Sequence, residues 1–282
     1  MKKTPIIAYI FITYSIFCLT LALALSHNSA IDLNYQALPS LPDFVNIEHT
    51  PARKQAFFNY LRPAIQQQNK HILWQRQRLI GLQQQLLQLQ QQLPLQPQRP
   101  KKQFEQSINK PPSLNKQQLR SQQRWLTKLT RHYRVDPQQS QAERYRQLLL
   151  RIDAIPAAMV LAQAALESGW GRSRFAREAN NLFGQWCYTK GCGLVPKQRN
   201  SGAKHFVSQF DTIDDSIAAY LRNINSHRAY RKVRQIRAAE HAAGRTPRAY
   251  AMVAGLSQYS SRGEAYIKDL RALIQGNKLE NF

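Results

Sequence analysis

Glu167 closes a run, residues 157–166, that is apolar all round except for Gln163. A helix with no polar face belongs in a core rather than on a surface. A carboxyl group at the end of such a helix is partly desolvated, and the negative end of the helix dipole acts on it as well. Both effects favour the protonated form. A glutamic acid that keeps its proton near neutral pH can act as a general acid, giving that proton to the oxygen of a bond about to break. Gln163 lies one turn earlier on the same face, within reach of the same site. The plain alternative is a helix-end glutamate ion-paired to Arg172 or Arg174, because structural ion pairs are common.

The elements that must hold this acid can be read around it. Asp153 is placed to cap the central helix and Pro156 to occupy its first turn, while Gly169 is a natural stop. Helices are expected over residues 115–133, carrying Trp125, Leu126 and Leu129, and over 138–151. After Gly184 the helical period disappears; glycines, aromatics and the alternation of residues 205–210 point to a small β-bearing lobe. Helices resume at Thr212, with Asp215 as its capping-box partner, and continue as a basic helix to Gly244, a short one from Thr246-Pro247 to Leu256, and a last one over 264–275. The domain, residues 114–276, is therefore mainly α (α+β), with a tail over 277–282.

Upstream, residues 51–93 have helical composition, and Leu79, Leu82, Leu86, Leu89 and Leu93 recur at three- and four-residue steps. That pattern is an amphipathic helix or a self-associating coiled coil; the alternative is a Gln-rich low-complexity spacer. Residues 94–113 form a Pro-rich basic linker, which sets the domain boundary near Leu114, and residues 27–50 a linker or an ordered strap.

Lys2 and Lys3 precede an uncharged run over residues 4–26, whose apolar part approaches the length that spans a bilayer. The expectation is a signal-anchor with the bulk of the protein exported to the periplasm and held at the inner membrane; a cleaved signal peptide over 1–26 is the alternative. With Cys18 in that run, Cys187 and Cys192 remain, and an exported compartment permits a bridge between them, two free thiols being the alternative. The pair lacks a second Cys or His pair at zinc spacing, so no metal and no cofactor is expected. The net charge of +24, from 40 Lys+Arg against 16 Asp+Glu, implies polyanionic surroundings. No basic-region heptad, zinc-finger spacing or RNP-like pattern appears, so nucleic acid is not the expected partner.

The segments ALESGWGRS and NNLFG together resemble the signature of the glucosaminidase family of peptidoglycan hydrolases, glycoside hydrolase family 73, which has a lysozyme-like fold. NNLFGQWCYTKGCGLVP, INSHRAYRKVR and GLSQYSSRGEAYIKDLRALI are similar to its Bax-type branch, and the resemblance covers residues 114–275. It implies an endo-β-N-acetylglucosaminidase-like cleavage of peptidoglycan glycan strands with Glu167 as the acid. By the same resemblance Asn181, Phe183 and Gly184 shape the cleft; Trp170 and Trp186 are candidates to stack on sugars, and Gln163 and Tyr266 to line the site. The alternatives for these residues are a turn-capping Asn pair, a core Phe183 and a core tryptophan.

Glycosidases commonly place two carboxyl groups across the scissile bond. No Asp or Glu occurs between Glu178 and Asp211, so the β-lobe supplies none. Three ways out are open: attack by the substrate's own 2-acetamido oxygen, a water held by Asp211 or Glu264, or help from a tyrosine, Tyr259 or Tyr266. The first is favoured, with Tyr259 orienting the substrate; Asp211 and Glu264 serve equally well as helix-start residues. Other readings are a lytic transglycosylase, against which NNLFG replaces the expected G-L-M-Q-L pattern, and a non-catalytic cationic wall-binding protein.

Overall fold

The structure, a computed structural model, describes residues 35–92, 116–197, 202 and 204–281. The expected membrane segment, Cys18 and the Pro-rich linker lie outside those residues. Among the described residues no helix is long and apolar enough to cross a membrane. The helices run in the order α1 (Thr50–Gln92), α2 (Lys116–His132), α3 (Gln141–Arg151), α4 (Ala157–Ser168), α5 (Arg174–Ala179), α6 (Ile213–Ser226), α7 (Arg231–Ala242), α8 (Ala249–Met252) and α9 (Glu264–Gly276). Three short strands, β1 (Trp186–Cys187), β2 (Gly193–Leu194) and β3 (Phe206–Ser208), form one antiparallel sheet in the order β1-β3-β2. Trp186 faces Val207, and Leu194 faces Val207 from the other side. The mainly helical reading with a small β-lobe is thus what the chain adopts.

Helix α4 is the axis of the core. Met159, Val160, Leu161, Ala162, Ala164 and Ala165 are all fully enclosed, because α1, α8 and α9 pack around it and the alanines let them come close. Gly169 takes the left-handed C-cap conformation expected of it, at φ 56°. The start of α4 differs from expectation. Pro156 is its N-cap and no side chain caps it. Asp153 instead sits 6 % exposed in front of the helix, 3.7 Å from both Arg76 and Arg237 and 3.0 Å from His241 Nε2. Thr212 and Asp215 do form the expected reciprocal cap, with Asp215 N donating to Thr212 Oγ1 and Thr212 N to Asp215 Oδ2, each at 3.1 Å.

The amino-terminal helix corrects the expected boundary near Leu114. Residues Ala37–Phe282 form one compact unit, in which α1 packs against α3, α4 and α6. Phe57, Phe58, Leu61, Ala64, Ile65, Ile72 and Leu79 make a continuous buried stripe at helical spacing. Burying six large side chains of that set contributes on the order of 10 kcal/mol before entropy. The stripe is therefore occupied by the chain's own core, which corrects the coiled-coil and spacer readings for this part of the helix. Polar ties reinforce it: Asn69 brackets Ile155, taking its N–H at 3.0 Å and donating to its carbonyl at 2.8 Å, and Arg76 donates to Ile152 O at 2.9 Å. Beyond Leu79 the helix opens on a cavity of about 940 Å³ shared with α2 and α3, lined in part by Leu82, Leu86, Leu119 and Leu126. None of the candidate site residues lines it.

Residues 37–49 are the ordered strap rather than a loose linker. Leu38 pairs through both backbone groups with the start of α6, donating to Asp214 Oδ2 at 2.7 Å and accepting from Ile213 N at 2.9 Å. Phe44 is buried against Phe57 and Tyr60. The expected tail is also part of the core, since Leu279 is fully buried and Glu280 accepts from Tyr250 N. The bridge Cys187–Cys192 is present and closes the β1–β2 turn.

Candidate functional site

Glu167 is the penultimate residue of α4, and the sequence around it explains why it points where it does. Ser168 is buried; its hydroxyl donates to Ala164 O at 2.6 Å and accepts from Gly171 N at 2.8 Å. Three residues in a row then turn left-handed, Gly169 (φ 56°), Trp170 (φ 63°) and Gly171 (φ 77°). A non-glycine residue there costs about 1–2 kcal/mol, which the packing of Trp170 edge-on against Phe57 and Phe58 of α1 offsets. A Cβ on Gly171 would lie 2.9 Å from Phe44 and 3.3 Å from both Leu41 and Phe57. The second glycine of ESGWG is thus required by the strap and α1 pressing on the turn. Trp170 is half-buried and packs edge-on against α1, with Lys54 Nζ 4.9 Å from its ring centre.

The Glu167 carboxyl is half-buried and makes no salt bridge among the described residues. Arg174 pairs with Glu178 at 3.1 Å and Arg172 donates to Gly169 O, so neither expected guanidinium partner reaches it. Among the described residues its one donor is the Tyr266 hydroxyl, 2.7 Å from Oε1. Burial raises the proton affinity of the carboxyl; the Tyr266 hydrogen bond and the positive charge of Arg262 pull the other way without cancelling it. Arg262 itself is committed to Asp269 at 2.6 Å. The second oxygen, Oε2, faces the NNLFG turn: a Cβ on Gly184 would stand 3.8 Å from it. Gly184 is exposed and left-handed at φ 62°, so the residue that Oε2 faces is at the surface and carries no side chain.

Behind Oε1 runs a buried hydrogen-bond chain. Tyr220 OH donates to Gln163 Oε1, Gln163 Nε2 donates to Tyr266 OH at 2.9 Å, and Tyr266 OH donates to Glu167 Oε1. Gln163 and Tyr266 are 0 % and 2 % exposed, which corrects their expected contact with substrate: they position the acid from behind. Phe183 and Asn181, each 2 % exposed, are corrected in the same way. Phe183 stacks on Tyr220 with ring centres 4.1 Å apart. Asn181 ties the NNLFG turn to the β-lobe, donating to Gln185 O and Ser208 O and accepting from Phe183 N and Gln185 N. Asn180 is the left-handed C-cap of α5 and reaches the Phe210 and Asp211 carbonyls.

The remaining candidates divide. Tyr259 lies beside the acid, its ring stacked on Tyr266 at 5.5 Å and its hydroxyl donating to Phe183 O at 3.0 Å. Trp186 is 58 % exposed on β1, its ring stacked on His205 at 4.1 Å, and is the sugar-facing candidate that remains open to solvent. Asp211 is an exposed residue one position before the α6 cap, and Glu264 is the exposed first residue of α9. Neither is hydrogen-bonded or ion-paired to Glu167. Tyr220 and Tyr230, whose hydroxyls feel the Glu167 charge, were not legible as site residues. In the sequence Tyr220 is one more apolar position on a helix stripe, and nothing there sets it apart from Leu221 or Ile224.

Comparison with known proteins shows the family of the chain. The glucosaminidase family model, described as mannosyl-glycoprotein endo-beta-N-acetylglucosaminidase, matches residues 142–279. Protein bax of Escherichia coli (strain K12) is 34% identical over 239 residues, covering 85% of this chain and 75% of that protein. The chain belongs to the glucosaminidase family, as a Bax-type member. No solved structure matches it. The family match begins at α3, so this glucosaminidase-family protein carries α1 outside the matched region while packing it directly against the helix that holds Glu167.

Proposed function

We propose that the protein is an endo-β-N-acetylglucosaminidase-like hydrolase of peptidoglycan glycan strands, with Glu167 as its general acid. The observation that carries this reading is the division of labour at one carboxyl group: Oε1 is held from behind by Tyr266, whereas Oε2 faces the exposed Gly184. A proton on Oε2 is therefore aimed at the open side, where a glycosidic oxygen would sit. The raised proton affinity from burial supports a protonated acid at the start of the cycle. No carboxylate is hydrogen-bonded or ion-paired to Glu167 among the described residues, and we favour the substrate's 2-acetamido oxygen as the nucleophile. Tyr259 then serves by fixing the Phe183 backbone beside the acid. The Cys187–Cys192 bridge supports an oxidising, periplasmic location.

The test is release of reducing ends from purified peptidoglycan by native and Glu167→Gln protein. Loss of release in the variant supports the reading; equal rates would remove Glu167 from the chemistry. A single acid also suits a lytic transglycosylase, and mass spectrometry of the products separates the two, since that enzyme leaves anhydro sugars rather than reducing ends.

A further inference from the structure

The tyrosines beside Glu167 lead to a second feature. Tyr266 stacks on Tyr259, Tyr259 lies 5.8 Å from Tyr230, and Tyr230 lies 5.9 Å from the ring of His227. His227 ends α6 and caps the 3-10 turn Arg228–Tyr230 that feeds α7, accepting from Ala229 N through Nδ1. Its ring feels Arg134, Arg228 and Arg234, and the same neighbourhood includes Arg151, Arg222 and Arg231. These come from the α2–α3 turn, the end of α3, the end of α6 and the start of α7.

We propose that Arg134, Arg151, Arg222, Arg228, Arg231 and Arg234 form a receptor for carboxylate groups carried by the glycan substrate, at the far end of the tyrosine row that starts at Glu167.

The cluster is built and unneutralised. Arg234 is 3 % exposed; its Nη1 is anchored on Ile224 O at 2.8 Å and His227 O at 3.0 Å, and its Nε has no partner. Arg151 is fixed on Tyr133 O at 2.7 Å, and its Nε is likewise unpartnered. Arg134, Arg222, Arg228 and Arg231 stand exposed around them, the last at the amino end of the twelve-residue helix α7. Among the described residues none of the six forms a salt bridge. Asp136, close in sequence, instead accepts from Gln138 N. Burial, then mutual repulsion, lowers the proton affinity of Arg234 to about 10. A chain that gathers six like charges without a counter-ion leaves the counter-ion to a ligand. The planar guanidinium fork matches a carboxylate, and peptidoglycan peptides carry carboxylates. The inference rests on the hydrolase reading for the identity of its ligand.

The test uses binding and turnover separately. Sacculi are compared with the same sacculi after their carboxylates are converted to methylamides. Binding is measured with Glu167→Gln protein in three forms: otherwise native, with Arg228→Gln/Arg231→Gln, and with Arg120→Gln/Arg124→Gln as an equal charge loss on exposed α2. Native sacculi should bind about tenfold tighter than amidated ones; the 228/231 pair should remove most of that ratio and the 120/124 pair should keep it. The 228/231 pair in an otherwise native enzyme should raise KM on native sacculi and leave kcat unchanged. Equal ratios in all three forms, or equal losses from the two pairs, would overturn the receptor. Absence of turnover by the native enzyme would instead sink the hydrolase reading and leave the binding comparison to be judged by itself.

Discussion

Helix α4 has a carboxyl near each end, Asp153 buried and Glu167 half-buried, and the two are treated in opposite ways. Asp153, before the helix, is ringed by Arg76, Arg237 and His241, and Arg237 also donates to the Asp153 and Ala154 carbonyls at 3.0 and 3.1 Å. Glu167, in its last turn, has a neutral phenol as donor and feels the guanidinium of Arg262. Burial alone therefore does not make an acid catalyst. The partner set decides: guanidinium groups hold a carboxylate in place as a strut, whereas a tyrosine orients a carboxyl group and leaves its proton available.

Breaking each end should separate activity from stability. Glu167→Gln should lower turnover by about 10²-fold or more, as for loss of a general acid, without lowering the melting temperature. Asp153→Asn should do the reverse, costing about 3–5 kcal/mol in a urea titration because Arg237 is left buried without its counter-charge, while kcat measured on the remaining folded protein changes little. If Asp153→Asn melts like the native protein, the strut interpretation fails.

The contrast sharpens with pH. The folded-state proton affinity of Glu167 is raised, so the folded protein holds that proton more tightly than the unfolded chain does. The associated stabilisation is complete below the ordinary glutamate range and is lost as pH rises through the raised value. Glutamine does not titrate. The stability of Glu167→Gln relative to native should therefore grow in favour of the variant from acid to neutral pH. A gap that stays constant across that window would mean the carboxyl is not perturbed.

Smaller effects belong to the supports. Tyr266→Phe removes the hydrogen bond that lowers the Glu167 proton affinity. The alkaline limb of the pH–rate profile, where the acid loses its proton, should move to higher pH, with a moderate fall in kcat. Cys187→Ser/Cys192→Ser opens a loop of only a few residues and should cost about 2 kcal/mol. Its effect on that limb should be nil, because the bridge lies in the β-lobe and touches neither Glu167 nor Tyr266.

How much of this was legible follows from the range of each interaction. Gly169 as a stop, the Thr212–Asp215 box and the apolar course of α4 are local, and each appears where the sequence places it. Short-range chemistry also pointed to Glu167. Asp153 was misread because its local neighbours suit a cap, while its actual partners come from α1 and α7. Gln163 was misread because one turn of a helix gives its face but not its depth. The boundary near Leu114 was misread for a related reason: a proline-rich linker marks a break in the chain, and only tertiary packing shows that Phe57 and Phe58 return to the core across it. The arginine cluster gathers residues from four separate segments, which a net charge of +24 does not locate.

The most direct measurement is a ¹³C NMR titration of the Glu167 side-chain carboxyl in native and Tyr266→Phe protein, assigned by the signal missing from Glu167→Gln. The account predicts a midpoint above the ordinary glutamate value in the native protein and a higher one still in Tyr266→Phe. A midpoint at or below the ordinary value, or a downward move in Tyr266→Phe, would contradict it.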